Sequence, residues 1–115
     1  MKHSSCVLLL DDEFLVLLDL QSELHRRGFS NIETAGNAAK AIAIVKKDKI
    51  DVALLDVNLG KEMSFDVAAA LKERSIPFAF VSGYAIDAIE AEFRDVPILS
   101  KPISASDVEM FLLNA

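Results

Sequence analysis

The stretch Cys6-Val7-Leu8-Leu9-Leu10-Asp11-Asp12-Glu13 decides how this chain is read. An unbroken apolar run suits a strand covered on both faces, as in the middle of a parallel sheet, whereas a strand with one wet face alternates apolar and polar residues. The run stops on three carboxylates, so the carboxyl end of this strand is a polar edge. Beyond it, apolar residues recur at helical spacing to about Arg27, and Gly28 supplies a stop after basic residues in the last turn.

The same alternation continues to the end of the chain. A second strand is expected near Asn31 to Thr34, followed by a helix from Asn37 to Lys47 with Ala38, Ala41, Ile42 and Val45 on one face. Val52 to Leu55 reads as a third strand ending at Asp56, with a Gly60-containing loop leading to a helix around Phe65 to Arg74. Phe78 to Val81 reads as a fourth strand ending at Ser82-Gly83, with a short helix from about Ala85 to Phe93. Ile98-Leu99 forms the fifth strand, ending at Ser100-Lys101-Pro102. Ser104 or Ser106 caps a last helix that carries Val108, Phe111, Leu112 and Ala115 on one face. Strands alternating with helices imply right-handed crossovers: an α/β fold with a five-stranded parallel sheet, helices on both faces, doubly wound.

Composition narrows the function. With 115 residues, 52% hydrophobic content and 4 Gly, the chain makes one domain that folds without disulfides or a structural metal. A net charge of −6 argues against direct nucleic-acid binding and against an anionic membrane surface. The lone Cys6 reads as a small hydrophobe in a reducing compartment. Apolar runs are split by charges, so no membrane span or signal core is expected, and the location inferred is cytoplasmic. His3 and His25 read as solvent-facing, and Lys46-Lys47-Asp48-Lys49 as a solvated helix end.

Sheets of this kind bind ligands beyond the carboxyl ends of their strands. The residues there are Asp11 and Asp12, Asp56, Ser82 and Lys101, drawn from four strands. Three carboxylates in one place need a cation to stay ionised together, and a donor set of oxygens without His or Cys suits Mg²⁺ or Mn²⁺ rather than zinc. Lys101 and the Ser82 hydroxyl then supply further donors, suited to phosphoryl oxygens.

The constellation Leu10-Asp11-Asp12-Glu13, Leu54-Leu55-Asp56-Val57-Asn58, Phe80-Val81-Ser82-Gly83-Tyr84 and Leu99-Ser100-Lys101-Pro102 resembles the receiver domain of two-component response regulators, over essentially the whole chain, 1–115. The resemblance implies the flavodoxin-like receiver topology and a phospho-acceptor role for Asp56, which would take a phosphoryl group from the phosphohistidine of a sensor histidine kinase or phosphotransfer protein. It further implies Asp12 as a direct Mg²⁺ ligand, Asp11 acting mainly through water, and the backbone carbonyl of Asn58 as another ligand. Ser82 would donate to one phosphoryl oxygen and Lys101 neutralise another. Such a protein promotes its own phosphorylation and dephosphorylation, has no separate turnover substrate, and passes its output to an unknown downstream protein. Pro102 would fit a cis peptide often present there.

Three positions depart from the commonest receiver pattern. Gly60 stands where many receivers have proline, which predicts a more mobile loop. Ile98 replaces the usual aromatic switch residue, and an aliphatic side chain cannot swing a hydroxyl in or out. The run Phe80-Val81-Ser82-Gly83-Tyr84 is similar to a receiver subgroup with a Phe-x-Thr-Gly-type strand-four motif and no strand-five aromatic, and Tyr84, the single tyrosine, is the candidate to take over the reporting or shielding role in the switch with Ser82. On the first helix, Val16, Leu17, Leu20 and Leu24 share the core-facing side, which leaves Phe14, Leu15 and Leu18 beside the cleft as a docking patch with Pro102 of the loop after strand five. The competing reading is a Mg²⁺-dependent phosphatase or phosphotransferase of the haloacid-dehalogenase type, which also uses an aspartate nucleophile and a lysine. Those enzymes begin with Asp-x-Asp, however, and this chain has Asp11-Asp12-Glu13.

Overall fold

The computed structural model describes residues 2–83 and 89–115. The strands are β1 (Val7–Leu10), β2 (Ile32–Ala35), β3 (Val52–Asp56), β4 (Phe78–Ser82) and β5 (Ile98–Ser100), and the α-helices among the described residues are α1 (Phe14–Arg26), α2 (Ala38–Lys47), α3 (Phe65–Glu73) and α4 (Ala105–Asn114). All strand pairs are parallel, in the order β2-β1-β3-β4-β5. The chain therefore moves from β1 outward to β2, then returns past β1 to build the other half of the sheet. That reversal sends the connecting helices to opposite faces and opens a crevice where β1 and β3 end.

Alternation along the strands divides the core into two layers. Leu8 and Leu10 of β1, Ala53 and Leu55 of β3, and Phe78 and Phe80 of β4 pack with Ala41 and Val45 of α2 and Val67 and Leu71 of α3. Their neighbours Val7, Leu9, Val52, Leu54, Ala79 and Val81 pack on the other side with Leu17, Leu20 and Leu24 of α1 and Val108 and Leu112 of α4. Both faces of β1 are thus filled, as its continuous apolar run requires. Each fully buried leucine contributes about 1.5–3 kcal/mol of transfer free energy.

Local chemistry sets the helix ends. The Asn37 side chain accepts a hydrogen bond from the Lys40 amide at 2.8 Å at the start of α2. Of the two serines considered for α4, Ser104 is the cap, its Oγ accepting from the Asp107 amide at 3.0 Å. Past α1, Gly28 takes φ of 100°, the left-handed geometry a helix stop uses.

Of the helix expected over Ala85 to Phe93, residues 85–88 lie outside the described residues; among those described, Ala91–Phe93 forms a 3-10 turn. Phe93 is fully buried against a ring cluster, stacked on Phe65 with centroids 5.9 Å apart and edge-on to Phe78 and Phe80, while Lys72 lies over its outer face. Aromatic packing, rather than helical spacing, fixes this part of the connection.

Candidate functional site

The register decides what meets at the crevice. Leu10 pairs with Leu55, so the next residue on each of two adjacent strands, Asp11 and Asp56, stands at the same level. By alternation both follow Leu9 and Leu54 onto the α1 side, and Lys101 follows Leu99 from β5. Asp12 lies one residue further, in the turn into α1. One carboxylate oxygen from each of Asp11, Asp12 and Asp56 lies within 4.8 Å of the others. The Lys101 ammonium donates to Asp56 Oδ2 at 2.8 Å, and the Asn58 amide donates to Asp56 Oδ1 at 3.3 Å.

The electrostatics are unbalanced. Asp11 is only 7% exposed, and burial pushes its carboxyl up to about 6; its Oδ1 accepts from the Glu13 amide at 2.9 Å, which acts the other way, and the charge of Asp56 adds to the rise. Burial by itself would lower the Lys101 ammonium, but its hydrogen bond and charge contact with Asp56 prevail and hold it above its ordinary value. A single ammonium against three close carboxylates leaves negative charge that a further cation would relieve. The donors are all oxygens, so the site fits a hard divalent ion such as Mg²⁺ or Mn²⁺.

A cleft of about 450 Å³ is lined by Asp12, Asp56, Asn58, Ser82 and Lys101, with Gly60 and Gly83 at its wall. Asp11 lines an adjoining larger groove, which shares Asp56 and Lys101 with this cleft. Ser82 ends β4 and is 8% exposed. Ile98 pairs with Phe80 and packs, half-buried, into the layer beneath α2 and α3. Tyr84 lies outside the described residues; Ile89 and Phe93, further along the same connection, are buried. The Lys101-Pro102 peptide bond is cis.

On α1 the two expected faces separate as read. Leu17, Leu20 and Leu24 are buried and Val16 is half-buried, whereas Phe14, Leu15 and Leu18 are 71%, 76% and 47% exposed. A groove of about 910 Å³ runs from the carboxylates between α1 and the start of α4, lined by Leu15, Val16, Leu20, Pro102, Ile103 and Ala105. Leu15 and Pro102 are therefore joined in one groove, and Phe14 and Leu18 lie outside its lining.

The loop after β3, expected to be mobile, is tied across by backbone hydrogen bonds. Asn58 and Met63 form an antiparallel bridge, closed by Leu59 N donating to Glu62 O at 2.8 Å and Ser64 N to Val57 O at 3.0 Å. Gly60 has φ of 84°, the left-handed geometry that favours glycine, at the bend Gly60-Lys61 between Leu59 and Glu62. Glu62 was missed by sequence reasoning: its Oε2 accepts from the Ala38 amide at the start of α2, at 3.1 Å. The Gly60-Lys61 pair signals a bend, but no local signal marks the contact of Glu62 with α2.

Comparison with known proteins gives a consistent result. The profile of the response regulator receiver domain family matches residues 7–112. The sensory transduction protein LytT of Bacillus subtilis is 33% identical over 112 residues, covering 92% of this chain and 46% of LytT. The transcriptional regulatory protein YvrH of the same organism is 31% identical over 87 residues, covering 75% of this chain and 37% of YvrH. The chain thus spans less than half the length of these relatives. The solution structure of SdrG from Sphingomonas melonis Fr1 superposes with a TM-score of 0.80 at 37% identity, covering 98% of this chain and 97% of SdrG.

Proposed function

The chain belongs to the response regulator receiver domain family of two-component systems, and from that premise we propose that Asp56 is its phospho-acceptor. Receivers of this family interact with histidine kinases or phosphotransfer proteins, and the donor proposed here is the phosphohistidine of such a partner. The observation that carries the reading is the setting of Asp56: buried at the end of β3, with Lys101 at 2.8 Å and two further carboxylates beside it.

A carboxylate nucleophile needs no general base. One oxygen of Asp56 forms a bond to phosphorus as the bond between phosphorus and the imidazole nitrogen breaks, and the electron pair leaves on the imidazole. Asp11, Asp12, Asp56 and the backbone carbonyl of Asn58 would hold Mg²⁺, with Mn²⁺ as a substitute. When bound, the ion offsets the charge on the phosphoryl oxygens. Lys101 neutralises one such oxygen and the Ser82 hydroxyl donates to another. The same arrangement, with water in line, would hydrolyse the acyl phosphate, so phosphorylation and its loss are properties of the chain itself and no separate turnover substrate is required.

Phosphorylation adds about −1.5 to −2 charges and new acceptor oxygens where a carboxylate stood. The proposed switch is Ser82 drawn toward that group. Ile98 is aliphatic and offers no hydroxyl to report the change, and Tyr84 is proposed in its stead. Phe14, Leu15, Leu18 and Pro102 are proposed to dock the phosphodonor partner, and a cytoplasmic location agrees with that partnership; among the described residues no helix is long and apolar enough to cross a membrane.

The test is incubation with a small phosphodonor and Mg²⁺, for wild type and Asp56→Ala. A label on wild type that is absent from the variant supports the reading. No label on wild type defeats it.

A further inference from the structure

Between β3 and α3 the chain folds into a miniature hairpin that borders the carboxylate cleft through Asn58 and Gly60. Its two ladder bonds run from Leu59 N to Glu62 O and from Ser64 N to Val57 O, so Asn58 and Met63 face each other at a position without bonds of their own. The ladder therefore leaves the main-chain carbonyl of Asn58 unused. The Asn58 side chain is engaged elsewhere: its Oδ1 accepts from the Gly60 amide at 2.9 Å.

The hairpin is fixed at both ends. Leu59 is 6% exposed and packs into the α2 and α3 layer, and Glu62 binds the first amide of α2 at 3.1 Å, where a carboxylate also meets the positive end of the helix. On the inner side, a Cβ at Gly60 would lie 3.2 Å from Asp12 Oδ2, at a φ of 84° that side chains rarely adopt. While Asp12 is unliganded, its exposed carboxylate can move away from such a contact. Once it is pinned by a cation, it cannot.

We infer that Gly60 and Glu62 are positioning residues for the divalent cation: Glu62 clamps the hairpin to α2 so that the Asn58 carbonyl is pre-set, and Gly60 lets the turn close against Asp12. Residues that orient metal ligands from outside the coordination sphere commonly govern affinity by about 10–100-fold. The inference rests on the metal reading above and adds to it where affinity is set.

The experiment is calorimetric titration of MgCl₂ into metal-free wild type, Gly60→Ala, Glu62→Ala and Glu62→Gln, with thermal unfolding of each metal-free protein alongside. Glu62→Ala should weaken Mg²⁺ about ten-fold, and Glu62→Gln, whose amide oxygen can accept the same hydrogen bond, should stay within about three-fold of wild type. Gly60→Ala should weaken Mg²⁺ by about ten-fold or more, beyond what its metal-free unfolding temperature would suggest. Equal affinity in all four proteins overturns the assignment. A Glu62→Gln loss as large as that of Glu62→Ala also overturns it, because the charge rather than the clamp would then be acting. Failure of wild type to bind Mg²⁺ at all instead overturns the metal reading, and this inference with it.

Discussion

Replacing Asp11 by asparagine should stabilise the metal-free protein, and by an amount that depends on pH. Asp11 is 7% exposed, and its carboxyl is raised from 3.8 to about 6 by burial, reinforced by Asp56 and Asp12 and opposed by the Glu13 amide and Lys101. The folded state therefore holds this proton more tightly than the unfolded chain does. The favourable contribution is complete below about pH 3.8 and is lost as pH rises through about 6. At pH 7.5 the buried charge costs on the order of 2–3 kcal/mol, and near pH 5 roughly half as much. An asparagine at 11 removes the charge and keeps an oxygen for the Glu13 amide, so it should recover most of that cost. The expected rise in unfolding temperature is roughly 6–12 °C at pH 7.5 in chelator, shrinking toward pH 5. Mg²⁺ should then stabilise wild type more than the variant, because wild type has the larger charge to relieve. A variant no more stable than wild type at pH 7.5, or one with the same advantage at both pH values, would refute the reasoning.

Other consequences follow from the same geometry. Lys101→Ala should slow labelling by a small phosphodonor severely and lower metal-free stability by on the order of 1–3 kcal/mol, because it leaves the buried Asp56 carboxylate without its ammonium partner; labelling intact, or metal-free stability unchanged, would contradict it. Leu18→Glu should slow phosphotransfer from a cognate kinase or phosphotransfer protein and leave small-donor labelling unchanged, as the side chain is exposed on α1; labelling lost in equal measure would argue against a docking role. Phe93→Ala removes a fully buried ring stacked on Phe65 and should cost about 3–5 kcal/mol in urea unfolding, with a cost below about 1 kcal/mol ruling out the anchoring role given to that ring.

The strands and the carboxylates at their ends were readable because they rest on short-range rules. A continuous apolar run such as Val7 to Leu10 can only be a strand covered on both sides or part of a buried helix, and Asp11-Asp12 settles its length. Once strand order is parallel, the residues after Leu10, Leu55, Val81 and Ser100 must share an edge. What was not readable depends on contacts between distant segments. The clamp from Glu62 to α2 joins residues 24 apart, and nothing in the local sequence marks Glu62 from any solvated glutamate. Gly60 was legible as freedom of the backbone, but whether that freedom makes a loose loop or a closed turn depends on Leu59 having a core to enter. The 3-10 turn at Phe93 likewise packs against rings from α3 and β4, contacts that local spacing does not encode.

The central claim is that Asp56 carries a phosphoryl group, and the most direct test is to map and quantify the label after incubation with a small phosphodonor and Mg²⁺. The account predicts at most one alkali-labile phosphoryl group per chain, on the peptide containing Asp56, absent without a divalent ion and absent from Asp56→Ala. A label on another residue, or continuing turnover of a small phosphate ester with no labelled Asp56, would contradict it.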